Sequence, residues 1–392
     1  MTLFEEENKY LMNTYATLPI EIEYGQGSYL LDKNNKKYID FTSGIGVNSL
    51  GYNNSDWKNS IISQLNNFQH LSNIFTNNST VSLAKKLCEL SGMSKVFFAN
   101  SGAEANECAI KLARKYSFNK YGEGRGTILS LKQSFHGRTL ATLTATGQDK
   151  FHNYFFPFPT GFNYATANSI DDLQEKLTSD VCAIIMEAIQ GEGGVHPLNK
   201  DFVLATCKLA KEKDILIIFD EVQCGIARTG NLFGYNTFNV EPDIVTCAKG
   251  LGAGLPIGAV LCNEKLSTTF QPGDHGSTFG GNPVVCAGST SVLNQLCNTN
   301  SYSEIIFKGK LIKETILNKN LKIVKDVRGL GLMLGIEIDG DSSIVQEKAL
   351  ENGLLVLTAG KNVVRLLPPL NISLEDVKEG LKILVKVLKE YK

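Results

Sequence analysis

The chain has 392 residues, 43% of them hydrophobic, with 39 Lys and Arg against 40 Asp and Glu, a formal net charge of -1. A chain of this length buries a large core and forms more than one structural unit. The near-neutral balance excludes a surface basic enough for nucleic acid, and no run of about 18 apolar residues marks a membrane helix.

The start, "MTLFEEENKYLMNTY", is acidic and lacks the basic and apolar regions of a signal peptide, so a soluble, cytoplasmic protein is expected. Residues 20 to 42 alternate apolar and polar positions around "DKNNKK", which predicts a small antiparallel hairpin. From about 95 to 265 short apolar runs take over: "KVFFA" (95 to 99), "TILSL" (127 to 131), "CAIIMEA" (182 to 188), "ILIIFD" (215 to 220), "DIVTCA" (243 to 248) and "IGAVLC" (257 to 262). Unbroken runs of this kind suit parallel strands covered on both faces. Between the first two, "AEANECAIKLARKYSF" places Ala105, Ala109, Leu112, Ala113 and Tyr116 on one helical face. Strand, helix, strand is the repeating unit.

After about residue 285 a helical stretch leads to "VRGLGLMLGIEI", "NVVRLLPPLNI" and the amphipathic "LEDVKEGLKILVKVLKE" (374 to 390), whose lysines read as a solvated face. With the N-terminal hairpin these form a smaller α+β domain. The expected division is 1-50 and 286-392 for that domain and 51-285 for a large α/β domain with a mostly parallel sheet. Nine cysteines occur, but the closest pair, Cys286 and Cys297, is 11 positions apart, and no Cys/His cluster has zinc-ligand spacing. They read as reduced, buried hydrophobes, and no metal site is expected.

In open parallel sheets ligands bind beyond the carboxyl ends of the strands. After "KVFFA" comes "NSGAEANE", where Ser101 can cap a helix, Glu104 completes a capping box and Gly102 permits a tight turn. A helix start at a strand end is a seat for phosphate, although any strand-to-helix connection can be capped this way. After "ILIIF" comes Asp220, a carboxylate at the exit of a hydrophobic strand; either water or a cationic partner such as a pyridinium nitrogen would satisfy it. Lys249, 29 residues on, ends the next strand. Alone it reads equally well as a strand cap that snorkels to solvent. Together, an amine able to condense with an aldehyde, an acid for a ring nitrogen and a helix N-terminus are the three contacts that pyridoxal phosphate needs.

Seven segments in order strengthen this reading: "NSGAEANE" at 100, "SFHGRT" at 134, "EAIQGEGG" at 187, "FDEVQCGIARTG" at 219, "AKGLGAGLPIGA" at 248, "STFGGNP" at 277 and "VRLLPPL" at 364. They resemble the class III aminotransferases of fold-type I, pyridoxal-phosphate-dependent transferases that include acetylornithine, ornithine and 4-aminobutyrate aminotransferases. Their wording is nearest to the acetylornithine enzymes. The resemblance implies transamination between N2-acetyl-L-ornithine, the amino donor, and 2-oxoglutarate, the 2-oxo acid acceptor, in arginine biosynthesis.

Carried over residue by residue, the resemblance implies that Lys249 binds the cofactor and moves the substrate proton, while Asp220 keeps the ring nitrogen protonated. Phe135 and Val222 would flank the ring, and Gln223 would reach its hydroxyl. Glu221 of the same "DEVQ" run is carried over as a cofactor neighbour. Gly102 and Ala103 would hold the phosphate with Thr278 of a partner subunit, which implies a homodimer with a shared active site. Without the resemblance, Phe135 and Val222 read as core packing and Thr278 as a loop hydroxyl. Arg138 would grip the carboxylate distant from the reacting amine, and Ser277 is a further substrate contact. Arg365 would pair with the α-carboxylate of glutamate, and Glu192 would neutralise Arg365 when acetylornithine is bound. His136, beside Phe135, is not assigned as a base, because lysine suffices for proton transfer and no second partner for the histidine is visible.

Three positions depart from the family pattern: "GYNNS" at 51 to 55, Thr17 in place of a frequent arginine, and Ile45, where ornithine aminotransferases typically carry tyrosine. Ile45 disfavours unacetylated ornithine; succinylornithine and 4-aminobutyrate stay open as alternative donors. A catalytically silent homologue is disfavoured by the intact lysine, aspartate and arginine set. A nucleotide-binding dehydrogenase fails because no GxGxxG follows a strand with an acidic residue about 20 positions later.

Overall fold

Residues 3–391 are described by a computed structural model of the chain. Three N-terminal strands, β1 (Ile22–Gln26), β2 (Tyr29–Asp32) and β3 (Lys37–Asp40), pair antiparallel in chain order. The expected hairpin is β2 with β3; Asp32 Oδ1 accepts the backbone N–H groups of Asn34 and Lys36 and fixes its turn.

The strands that follow are β4 (Lys95–Ala99), β5 (Thr127–Leu131), β6 (Phe162–Ala165), β7 (Val181–Met186), the short β8 (Ile189–Gln190) and β9 (His196–Pro197), β10 (Leu216–Asp220), β11 (Ile244–Cys247) and β12 (Gly258–Cys262). Seven of them form one sheet in the order β4-β12-β11-β10-β7-β5-β6. Every residue of β5, β7, β10, β11 and β12 is buried, which explains the unbroken apolar runs.

The structure departs from the expected strands in two ways. β12 is antiparallel to both neighbours, β11 and β4. Only residues 248 to 257 join β11 to β12, with a single 3-10 turn at Lys249–Leu251, and a parallel return needs a crossover of about a dozen residues or more. β6 is an additional edge strand, half-exposed along most of its length, so its sequence "FNYA" carries no continuous apolar signal.

The helix Gly102–Tyr121 covers the sheet through buried Ala105, Ala109, Leu112 and Ala113, with Tyr116 half-buried beside them. A second antiparallel sheet, β13 (Val324–Leu330), β14 (Met333–Ile338), β17 (Val363–Leu366) and β16 (Leu357–Ala359), lies in the C-terminal third. β15 (Leu354–Leu355) leaves that region and pairs parallel with β3, so both ends of the chain share one sheet. This is the fold-type I arrangement, a large mostly parallel-sheet unit with a smaller α+β unit from both termini. The helix Pro283–Leu296 packs on the helices Ser55–Leu65 and Asn78–Ser91 and spans the expected boundary at 285. Asn54 of "GYNNS" caps the helix Ser55–Leu65, its Oδ1 accepting from Trp57 N at 3.0 Å. Among the described residues no helix is long and apolar enough to cross a membrane.

Candidate active site

β4, β10 and β11 run in one direction, so the residues that follow them meet at one edge of the large sheet, where a cavity of about 430 Å³ opens. Lys249 enters it from the end of β11 with a left-handed φ of 40°, a conformation that disfavours any side chain. Its ammonium makes no hydrogen bond or ion pair among the described residues. Burial lowers its pKa from the ordinary lysine value; Glu192 opposes that shift and Arg365 adds to it. The amine is thereby brought nearer its neutral, nucleophilic form.

Asp220, the last residue of β10, is 3% exposed and faces the same cavity. Its Oδ2 accepts from Asn106 Nδ2 at 2.7 Å and from His136 Nδ1 at 2.8 Å, and its Oδ1 accepts from Val222 N at 3.0 Å. Asn106 is itself fixed, since Thr246 Oγ1 donates to its Oδ1 and its Nδ2 also donates to His136 O, both at 2.7 Å. Such a network holds the carboxylate in one orientation. About one of its four acceptor sites remains for a cation. His136 therefore has the second partner that the sequence did not reveal, and it acts on Asp220 rather than as a free base. Its Nε2 is buried without a partner among the described residues.

Opposite this network, Ser101 Oγ caps the helix by accepting from Glu104 N at 3.1 Å, but Glu104 Oε2 accepts from Asn100 N at 2.6 Å, one residue before the N-cap, so the reciprocal bond of the expected capping box goes to Asn100 instead of Ser101. The N–H groups of Gly102 and Ala103 are the first of the helix and have no partner within it. A Cβ on Gly102 would stand 2.7 Å from Val222 Cγ1, so glycine is what lets Val222 close against the helix start. A free amine, a held carboxylate and an anion-binding helix start on one cavity fit pyridoxal phosphate.

Phe135 lines the cavity edge-on to Phe151, and Arg138 stands 4.4 Å from the Phe151 ring. Arg138 is exposed and without an ion pair among the described residues, so its fork is free for a carboxylate. Glu192, in the β8–β9 loop, accepts from Arg365 Nη1 at 2.6 Å, and Arg365 Nη1 also donates to Gln223 Oε1 at 3.2 Å. Arg365, on β17, is 2% exposed and its Nε has no partner among the described residues. Burial raises the Glu192 pKa, but Arg365 outweighs it and the net shift is downward.

Glu221 is the one "DEVQ" residue turned away from the cavity. Adjacent residues at a strand end point to opposite sides. Its carboxyl oxygens accept from Gly234 N at 2.7 Å and Tyr235 N at 2.9 Å, so its side chain does not line the cavity. Ser277 and Thr278 also lie off this chain's cavity: Ser277 Oγ accepts from Asn100 Nδ2 at 3.1 Å, and Thr278 is exposed. Thr17 is exposed and donates to Glu7 Oε1.

Sequence reasoning missed Asn106 and Glu187. Asn106 stands three and four positions before the buried Ala109 and Ile110, and a polar residue on a buried stripe was the available signal. Glu187 lines the cavity and accepts from Phe135 N at 3.1 Å. Burial, reinforced by the Asp220 charge, pushes its carboxyl well above the usual range and favours the protonated form.

Residues 10–388 match the aminotransferase class-III family. The acetylornithine aminotransferase of Haemophilus ducreyi is 48% identical over 384 residues, 97% of each chain. Among solved structures, the ornithine aminotransferase of Toxoplasma gondii superposes with a TM-score of 0.95 at 30% identity, covering 98% of this chain and 94% of that one. The N-acetylornithine aminotransferase of Stenotrophomonas maltophilia gives 0.86 at 33% identity, covering 98% of both. With an amine, a carboxylate and an anion seat converging on one cavity, the chain belongs to the class III aminotransferases, enzymes that work with pyridoxal phosphate.

Proposed function

We propose that the chain transfers the amino group of N2-acetyl-L-ornithine to 2-oxoglutarate, giving N-acetyl-L-glutamate 5-semialdehyde and L-glutamate, a cytoplasmic step of arginine biosynthesis. The observation that carries the reading is the contrast between two arginines, Arg138 lining the cavity and Arg365 buried behind the cavity-lining Glu192 and Gln223. Arg138 is open, whereas Arg365 is masked by Glu192 at 2.6 Å. One site must accept glutamate, with two carboxylates, and acetylornithine, with one. Arg138 serves the carboxylate common to both, the α-carboxylate of acetylornithine and the γ-carboxylate of glutamate. Arg365 serves only the α-carboxylate of glutamate, with Glu192 moving aside, and is neutralised by Glu192 when methylene carbons lie there.

Pyridoxal phosphate, when bound, supplies an aldehyde that carries the amino group and a ring that withdraws electrons. Lys249 Nζ holds that group and takes and returns the proton of the substrate carbon. Asp220, steadied by Asn106 and His136, presents a negative charge to the ring nitrogen. Gly102 and Ala103 offer N–H groups to the phosphate, Phe135 and Val222 flank the ring, and Gln223 contacts its polar edge. The cofactor site is assigned to residues 51-285, with 1-50 and 286-392 forming the smaller domain.

A homodimer completes the site in this reading. Support comes from Ile74, Phe75 and Phe279, which are 82%, 61% and 61% exposed, more than isolated surface residues require. Asn73 Nδ2 donates to Ser277 O and Gly280 O, tying these two apolar loops together beside Thr278. Ser277 and Thr278 would then act on the partner's cavity. Ile45, 42% exposed on the same chain, favours an acylated donor over the charged amine of ornithine. Steady-state comparison of acetylornithine, ornithine, succinylornithine and 4-aminobutyrate against 2-oxoglutarate tests the reading. Acetylornithine should give the highest kcat/KM; a higher value for any of the other three rejects it.

A further inference from the structure

Arg228 has no part in the reaction as drawn so far. It lies five residues after Gln223, beyond Ile226 and Ala227, whose φ values of 54° and 70° are left-handed. Holding such residues costs about 1 to 2 kcal/mol each unless the surroundings impose the conformation. Its side chain is the largest fully buried one among the described residues.

All its acceptors among the described residues are neutral. Nη1 donates to Leu332 O at 3.1 Å and to Pro368 O at 2.5 Å, and Nη2 donates to Ser43 Oγ at 3.4 Å. Ser43 Oγ in turn donates to Leu367 O at 2.6 Å, and Leu332 N donates to Arg228 O at 3.0 Å. Burial pushes the guanidinium down to about 9, with Asp40 opposing, so it stays charged at neutral pH. A buried charge satisfied only by carbonyls and a hydroxyl is costly, and a plain apolar side chain would fill the space without that cost.

What it joins explains why it is there. Leu332 leads into β14, and Leu367 and Pro368 directly follow β17, the strand that carries Arg365. Gln223 and Arg228 are on one loop; Arg365 and Pro368 are on one strand end. The loop and the strand are thus tied twice, by the cavity-lining Gln223 to Arg365 and by Arg228 to Pro368. Sliding the loop along the strand would break both ties.

We propose that Arg228 is a positioning residue that locks the end of β17 to the 222 to 228 loop and so sets where Arg365 stands relative to Gln223 and Glu192. This rests on the reading of Arg365 as the α-carboxylate site. Its consequence is selective. Loosening the lock should impair the half-reaction with glutamate, which needs Arg365 in place, more than the half-reaction with acetylornithine, which does not.

Arg228→Lys keeps a charge but cannot span Leu332 O, Pro368 O and Ser43 Oγ with one ammonium. Ser43→Ala removes the bridge to Leu367 and decides the matter if the lysine variant does not fold. In single-turnover measurements Arg228→Lys should raise the half-saturating glutamate concentration about tenfold, and Ser43→Ala should raise it less, while acetylornithine saturation and the cofactor absorbance change little. Both half-reactions weakened equally, or a lower Tm with unchanged glutamate saturation, would overturn the proposal and leave a purely structural role. Arg365→Ala separates the two levels. If it spares the glutamate half-reaction, the assignment of Arg365 fails and takes this inference with it; if it cripples that half-reaction while both Arg228→Lys and Ser43→Ala act evenly, only the inference fails.

Discussion

Replacing Glu192 by alanine isolates the Arg365 device. The side chains of Arg365 and Glu192 are 3% and 30% exposed and meet at 2.6 Å. After the substitution Arg365 keeps Gln223 Oε1 at 3.2 Å as its one remaining partner among the described residues. Breaking a fully buried pair costs about 3 to 5 kcal/mol, and an exposed pair about 1 or less. The partial exposure of Glu192 places this pair between those limits, at about 2 to 3 kcal/mol. That cost falls on every state in which nothing else neutralises Arg365, the unliganded chain and the acetylornithine complex, and is relieved only when glutamate brings its α-carboxylate. The acetylornithine half-reaction should fall roughly 30- to 150-fold relative to the glutamate half-reaction, because about 1.4 kcal/mol corresponds to a factor of ten. The glutamate half-reaction should be unchanged or faster, since its α-carboxylate finds the arginine already free. Single-turnover rates measured separately with each amino donor read the two halves. A variant slowed equally in both would refute the switch while leaving the family assignment intact.

Asp220→Asn should cost about 1 to 3 kcal/mol of stability, because an amide NH2 must then face the Val222 N–H or the Asn106 and His136 donors. The chemical step should fall by a factor of about 100 or more; a normal single-turnover rate with the same loss in urea denaturation would make the residue structural only. Burial pushes the Glu221 carboxyl up to about 8 from an ordinary 4.5, so between those values the folded chain binds a proton that the unfolded chain releases. Stability from this group is full below pH 4.5 and declines by up to about 1.4 kcal/mol per pH unit as pH rises towards 8; Glu221→Gln should flatten that part of the Tm profile, and parallel profiles would contradict the shift. Gly102→Ala brings a methyl within 2.7 Å of Val222, and equilibrium titration with pyridoxal phosphate should show cofactor affinity about tenfold weaker, as a local clash of about 1 to 2 kcal/mol implies; unchanged affinity would show that Val222 yields freely.

Local rules made much of this legible. The buried strands β7, β10 and β11 announce themselves as continuous apolar runs, and "NSGAE" contains the Ser101 cap of the helix start. The direction of β12 was readable too, in the ten residues between it and β11, but an apolar run by itself carries no direction. Lys249 and Asp220 could be placed at strand ends from their neighbours alone. Asn106 and His136 could not be attached to Asp220, because they stand 114 and 84 positions away and only the folded sheet brings them within 3 Å. Arg228 was equally hidden: its partners come from residues 43, 332 and 368, three separate parts of the chain. Glu221 was carried over with its motif as a block, where the two-residue alternation of a strand would have turned its side chain away from Asp220 and off the cavity lining.

The central claim is that Lys249 holds the cofactor in this cavity, and covalent trapping tests it most directly. Purified protein loaded with pyridoxal phosphate is reduced with borohydride, digested, and searched by mass spectrometry for a pyridoxyl-modified lysine. The account predicts stoichiometric label on Lys249, and in Lys249→Ala no label, no turnover and cofactor still retained through Asp220 and the helix start. Label on another lysine, or multiple turnovers by the alanine variant, would contradict it.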